Sequence, residues 1–508
     1  MNELILNGQE ITINDVINVA RNNFKVALGD KARESVQKAS LYVNKLVEDN
    51  KIVYGITTGF GVFANKTISK EDTSKLQHNL LKSHACGIGE PLSKEIVKAM
   101  MLLRVNSLIK GNSGIRLEVI ELMLKLLNEN IIPYVYSQGS LGSSGDLVPL
   151  AHMALPLIGE GEVYYRDKIV PTMEVFDILN IKPITLVAKE GLALINGTQA
   201  MTAIGCITLY DASELFKVSN VALSLSLQAL RGIKDAFSPL ISNIRPYYGF
   251  KLANEHVLEM IEGSTYVTRQ GELRVQDAYS LRCAPQVHGA SIDALRHVKE
   301  IIEIEINAVT DNPLLFVDEN EVISGGNFHG QPVALAMDYM SIAISELANI
   351  SERRIERLIN PNLNGGLPAF LVENGGLNSG FMIVQYSAAS LVSENKVLSH
   401  PASVDSIPSS ANQEDHVSMG TIGARKARTI YEHTKKVIAM ELLCAFQALD
   451  FIKGYKLGEK SQVIYDLFRK KIGFIHNDET MYKYIEESIR LVDEIISELN
   501  HRGWLKIC

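Results

Sequence analysis

The feature that most constrains the fold is a set of long, proline-free stretches in which apolar residues recur every three or four positions. In "SIDALRHVKEIIEIEINAVTDNP", Ile292, Leu295, Val298, Ile302, Ile306 and Val309 form one stripe ahead of Pro313. That spacing places them on one face of a helix, which the proline should close. "MDYMSIAISELANISERRIERLINP" repeats the pattern and stops before Pro361, and a third stretch runs from about Gly423 to Phe451. Helices of this length exceed the usual three turns. They predict a mainly α fold, a long-helix bundle whose apolar faces are shared with other copies of the chain. Strand signals are few and short, "KIVYGITT" and "EVYYRDKIVP", and both lie in the N-terminal part.

No repeat, low-complexity tract or linker marks a domain boundary. Residues 1–200 are expected to form an N-terminal part and residues 201–508 the long-helix part, best treated as one fold over 1–508. A chain of 508 residues with 46% hydrophobic and 21% charged side chains can bury a large core. Its net charge of −8 gives no basic footprint for nucleic acid or an anionic membrane. Cys86, Cys206, Cys283, Cys444 and Cys508 are odd in number and widely spaced, so neither a disulfide framework nor a zinc site is expected. Nor does any H-E-x-x-H or clustered acidic spacing suggest another metal. "MNELILNGQE" lacks the apolar run of a signal peptide, and a cytoplasmic location is expected. "GLALINGTQAMTAIGCITLY", residues 191–210, has the length of a membrane span but contains Asn196, Gln199 and three glycines. It reads instead as a buried core segment.

Glycine and proline concentrate in five loops, 55–64, 137–146, 324–332, 360–380 and 399–413. Function favours such loops when a rigid scaffold holds them. One of them opens "SQGSLGSSGDLVPLAH", residues 137–152. It fits neither a G-x-S-x-G nucleophile turn nor a phosphate loop. Asp146 can cap a helix with Pro149 in its first turn, which would set Ser143-Ser144-Gly145 at the positive end of a helix dipole. Attack of the Gly145 nitrogen on the Ser143 carbonyl, with loss of water, would close a five-membered imidazolone. Loss of the Ser144 hydroxyl would then leave an exocyclic methylidene. Glycine suits the third position because the amide must approach a carbonyl without a Cβ in the way. The product would be an electrophile that no standard side chain provides.

At these residues the chain resembles the aromatic amino acid ammonia-lyases, in which Ala-Ser-Gly processes itself into 4-methylidene-imidazole-5-one. Here Ser143 replaces the commoner Ala, and only its backbone would enter the ring. The likeness spans nearly the whole chain: "YGITTGFG" (54–61, with Thr57 where Asn is frequent), "LINGTQ" (194–199), "QDAYSLRCAPQVHG" (276–289), "AVTDNPL" (308–314), "SGGNFHG" (324–330) and "SVDSIPSSANQEDHVSMG" (403–420) follow the family's order.

The resemblance implies a homotetramer with active sites shared between subunits, and Ser144 as the 2,3-didehydroalanine of a self-made cofactor, with no external one. It implies Tyr54 as the base for the β-proton, Tyr279 as a second phenol, and Arg282 as partner of the substrate carboxylate. Asn196, Gln276 and Phe328 would orient the carboxylate and the electrophilic ring. Ser83-His84 is the pair of the histidine-acting members, and Glu414, with Gln413 beside it, fits the same choice. L-Histidine, giving trans-urocanate, is therefore the expected substrate, since groups that bond ring nitrogens reject a ring without them. Ala284 departs from the Gln common in bacterial histidine-acting members. The alternatives are action on tyrosine or phenylalanine, an aminomutase, or an unprocessed, catalytically silent helical scaffold.

Overall fold

A computed structural model describes residues 2–49, 51–59 and 68–507. The fold is mainly α. Its longest described helices are Gln199–Ala229 and Gly420–Asp450, of 31 residues each, and Gln331–Ile359, of 29. The expected stripe is real: Ile292, Leu295, Val298, Ile302 and Ile306 are all buried. The helix that carries it, Ala284–Glu305, nevertheless stops well short of Pro313. Asn307 is the reason, since its side chain bonds the Ile11 backbone, accepting from N at 2.8 Å and donating to O at 2.9 Å. Val309 consequently lies beyond the helix. The helix expected from Gly423 starts three residues earlier, at Gly420, whose N–H donates to Ser418 Oγ.

Of the two expected strand segments, one forms. Glu162–Tyr165 pairs antiparallel with Lys168–Pro171 through a two-residue turn in which Arg166 and Asp167 both have positive φ, the backbone that twists best into a hairpin. "KIVYGITT" is not a strand. Residues 54–57 make a turn, with Gly55 at φ +68° and the Thr57 hydroxyl donating to Lys51 O at 2.7 Å. A strand would have to give up that bond.

The chain divides into two compact units. One comprises Met1–Ile207, Lys299–Asp338 and Pro401–Arg425; the other comprises Thr208–Val298, Tyr339–His400 and Lys426–Cys508. In the first unit, every residue from Gly191 to Ile207 is buried, as expected of a core segment. It is not one helix: Glu190–Ile195 ends at Asn196, and Gln199–Ala229 begins after a break at 196–198. The second unit is organised around a buried ion pair, Arg354 with Glu441, which also accepts hydroxyl bonds from Ser226 and Ser351. His288 lies against the same Arg354 and bonds Asn220. Burial and the arginine's charge push its pKa well below the ordinary histidine value. Helix Gln331–Ile359 is long and apolar enough to cross a membrane, yet 67% of its most apolar window is buried within the protein.

Candidate active site

The Ser143-Ser144-Gly145 segment is held on both sides. On one side, Met419 N donates to Leu141 O at 3.0 Å and Ser418 N to Gly142 O at 3.3 Å. On the other, Gly145 forms a bridge to Gly197, and Asp146 N donates to Gly197 O at 2.7 Å. Close approach explains the glycines. Gly142 and Gly145 have φ of +72° and +76°, and a Cβ on Gly145 would stand 2.1 Å from the Gly197 carbonyl oxygen. The glycine-rich loop is thus packed in place.

Asp146 does precede the helix Leu147–Ala154, but its side chain makes no capping bond. The carboxylate turns into the protein, accepting from Thr421 Oγ1, from Ser140 Oγ at 3.1 Å and from Met201 N at 2.8 Å. Burial raises its pKa above the usual carboxylate range, and these bonds oppose the rise. Behind it, burial also raises Glu305, which accepts from Thr198 Oγ1 and feels the Asp146 charge. The capping role is therefore wrong: three other donors take the carboxylate away from the first-turn amides.

Glu414 ties the segment to the rest of the site. It accepts from Ser144 Oγ at 2.9 Å through Oε1 and from Ser409 Oγ at 3.0 Å through Oε2. Glu414 is not in the first turn of the following helix, which begins only at Gly420. His84 is the last residue of helix Lys70–His84 and is half-buried. Burial lowers its pKa, while the Leu80 carbonyl and the nearby Glu414 charge pull the other way. Ser83 Oγ donates to Leu80 O and stands 3.0 Å from His84 Nδ1. In the tautomer whose Nδ1 donates to Ser83, whose own proton goes to Leu80 O, Nε2 would carry the free lone pair. A carboxylate and a neutral imidazole acceptor together suit a ligand rich in N–H groups.

Asn196 caps the Glu190–Ile195 helix beside Gly197. Its Oδ1 is buried with no hydrogen-bond partner among the described residues. Phe328 is half-buried and Gln413 exposed. The neighbour of Phe328, His329, stacks on His416 with ring centres 5.6 Å apart. Tyr54 is half-buried in the 54–57 turn, while Phe60 and Gly61 of its motif lie outside the described residues, as does Cys508.

The second unit carries the remaining three. Arg282 donates through Nε to Asp277 O at 2.8 Å, with its guanidinium 4.5 Å from the Tyr279 ring centre. Tyr279 is 70% exposed. Gln276 and Arg282 line a cavity of about 330 Å³ together with Asp235, Gln270, Cys283 and Gln286.

Sequence reasoning missed Arg104, Ser140, Thr198, Glu305, Ser409 and Thr421, which hold the site residues without having obvious chemistry. Arg104 left a signal: a single charge in "MMLLRVNSLI" must be paired when its neighbours are buried.

Comparison with known proteins identifies the relatives of this chain. A model of the aromatic amino acid lyase family matches residues 11–470. The histidine ammonia-lyase of Alkaliphilus oremlandii is 55% identical over 97% of each chain. The crystal structure of histidine ammonia-lyase from Trypanosoma cruzi is 42% identical and superposes with a TM-score of 0.90, covering 97% of this chain and 94% of that one. Tyrosine aminomutase from Streptomyces globisporus is 35% identical, with a TM-score of 0.94 over 99% of both. Given a match over most of its length, a mainly α fold and a packed Ser143-Ser144-Gly145 turn, this chain belongs to the aromatic amino acid lyase family.

Proposed function

We propose that this ammonia-lyase eliminates ammonia from L-histidine to give trans-urocanate, the opening step of histidine degradation. The observation that carries the reading is the Glu414 carboxylate, which bonds Ser144 and also acts on His84. Fold alone does not choose the substrate, since the tyrosine aminomutase superposes slightly better than the histidine lyase. Sequence does, favouring the histidine lyases at 55% against 35% identity.

The residues fit the self-made cofactor. Only glycine can stand at position 145 against the Gly197 carbonyl, and the Ser144 hydroxyl, which must leave, is held by a carboxylate. Ser143-Ser144-Gly145 would form 4-methylidene-imidazole-5-one with loss of two waters, leaving Ser144 as 2,3-didehydroalanine. When formed, the group supplies an electron-accepting centre that makes the ammonia a better leaving group.

The chain's own groups do the rest. Arg282 pairs the substrate carboxylate, a task suited to a planar guanidinium, while Asn196, Gln276 and Phe328 orient it. His84 Nε2 accepts an N–H from the imidazole ring, and Glu414, with Gln413 beside it, bonds the ring's other edge. Tyr54 takes the β-proton on its phenolate oxygen, with Tyr279 as the second phenol near the chemistry. A phenol of ordinary pKa about 10 needs its anion stabilised to do so near neutral pH.

A homotetramer with shared sites fits the apolar side chains left exposed on long helices, such as Tyr339, Ile342, Ile383 and Tyr386. A reducing, cytoplasmic setting fits five cysteines that are odd in number and widely spaced, with no C-x-x-C pair.

The test is incubation of the purified protein with L-histidine, L-tyrosine and L-phenylalanine while product absorbance is followed. Rapid urocanate formation is expected. A rate on tyrosine or phenylalanine equal to or above that on histidine would overturn the substrate assignment.

A further inference from the structure

Arg104 is wholly buried in the helix Lys94–Leu108, and the chemistry above does not use it. Its guanidinium is spent on the end of another helix. Nε donates to Ala193 O at 2.9 Å and Nη2 to the same oxygen. Nη1 donates to Asn196 O at 2.9 Å and to Gln199 Oε1 at 2.8 Å. Gln199 is fixed in turn by Thr310, whose hydroxyl accepts from its Nε2 at 2.7 Å. The carbonyls of a helix's last turn have no intrahelical partner, and here one arginine satisfies two of them across the break at 196–198.

That break carries two parts of the site. Asn196 bears the unpartnered Oδ1. Gly197 offers the carbonyl that receives Asp146 N and backs Gly145. Its Cα sits so near the guanidinium that a Cβ would meet Nη1 at 2.3 Å. Any shift of Arg104 would therefore move the Asn196 amide and the wall behind Ser143-Ser144-Gly145 together. Burial lowers the arginine's pKa to about 10, with Asp311 opposing the change, so it stays charged at neutral pH.

We propose that Arg104 is a positioning residue of this active site: by pinning the 196–198 break, it sets both the geometry in which Ser143-Ser144-Gly145 closes and the placement of Asn196 toward substrate. The inference rests on the proposed histidine lyase reading. The other end of the same short helix supplies the control. There Arg116 holds Glu190 through Nε and Nη2, each at 2.8 Å, without touching the break itself.

The experiment compares Arg104→Lys, Arg104→Met and Arg116→Lys in the full-length protein by intact mass, thermal unfolding and kinetics on L-histidine. Lysine keeps the charge but cannot bridge three acceptors in a fixed plane. The expected result is a folded Arg104→Lys protein with a substantial fraction still at unprocessed mass. Its mature fraction should show a raised KM and a kcat/KM lower by about 100-fold, the usual cost of a small misplacement. Arg116→Lys should mature fully and keep its KM, whatever its unfolding temperature. If Arg104→Met does not fold, Arg104→Lys decides. Complete maturation with unchanged KM in Arg104→Lys would overturn the proposal, as would equal losses in Arg116→Lys, which would reduce both arginines to scaffold. Failure of the wild type to lose two waters would instead refute the cofactor reading on which the proposal stands.

Discussion

Two glycine-serine loops of the first unit, 139–146 and 324–327, look alike in sequence and differ completely in packing. At Gly142 a Cβ would lie 2.3 Å from Ser418 Oγ, and at Gly145 it would lie 2.1 Å from a backbone oxygen. At Gly325 and Gly326 it would meet nothing within 4 Å. In the first loop glycine is a packing requirement imposed from both sides, by residues 417–420 and by the 196–198 break. In the second, nothing among the described residues demands it. Glycine content therefore marks where a chain can turn, whereas close approach marks where its backbone is being used.

Ser144→Ala should give the largest effect, because without the hydroxyl no methylidene can form; lyase activity should fall to the detection floor while thermal unfolding changes little. Gly145→Ala comes next. The added methyl meets backbone that cannot yield, so a destabilisation of about 3 kcal/mol is expected, with most of the chain at unprocessed mass. If Gly145→Ala instead matured normally, the packed-loop half of the comparison would collapse. Glu414→Gln keeps an acceptor for the Ser144 hydroxyl but loses the charge. Maturation should persist while kcat on L-histidine drops about 100-fold, measured as urocanate formation per mature site.

Acid sharpens the contrast more gently. His84 has its pKa lowered by burial, so below about pH 6.5 the unfolded chain takes up a proton that the folded site resists. Stability at this position should accordingly be complete at neutral pH and decline as pH falls. His84→Gln should flatten that slope in thermal melts at stepped pH, whereas Gly325→Ala should leave it unchanged. Gly325→Ala is also the smallest perturbation of all, expected within about 0.5 kcal/mol of wild type. A larger loss would show that the open loop is packed by something beyond this chain.

The sequence made the long helices legible because their stripes are periodic, and Ile292 to Ile306 lie on the face predicted. It marked 162–171 as strand, but not the turn at Arg166-Asp167 that folds the segment into a hairpin. It misjudged "KIVYGITT", where a side-chain bond from Thr57 and the positive φ of Gly55 outweigh strand propensity. It also misassigned Asp146, whose partners Thr421 and Met201 lie far away in sequence. Ser143-Ser144-Gly145, His84 and Glu414 could be proposed from sequence because their motifs carry chemistry. Arg104 and Glu305 could not, since they act by holding other residues, and such a role has no local pattern beyond a charge among apolar neighbours.

The most direct test of the account is the intact mass of the wild-type chain, measured beside Ser144→Ala. The account predicts a wild-type chain lighter than its sequence by two waters and a Ser144→Ala chain that is not. A wild-type protein that turns over L-histidine while retaining its full unprocessed mass would contradict it.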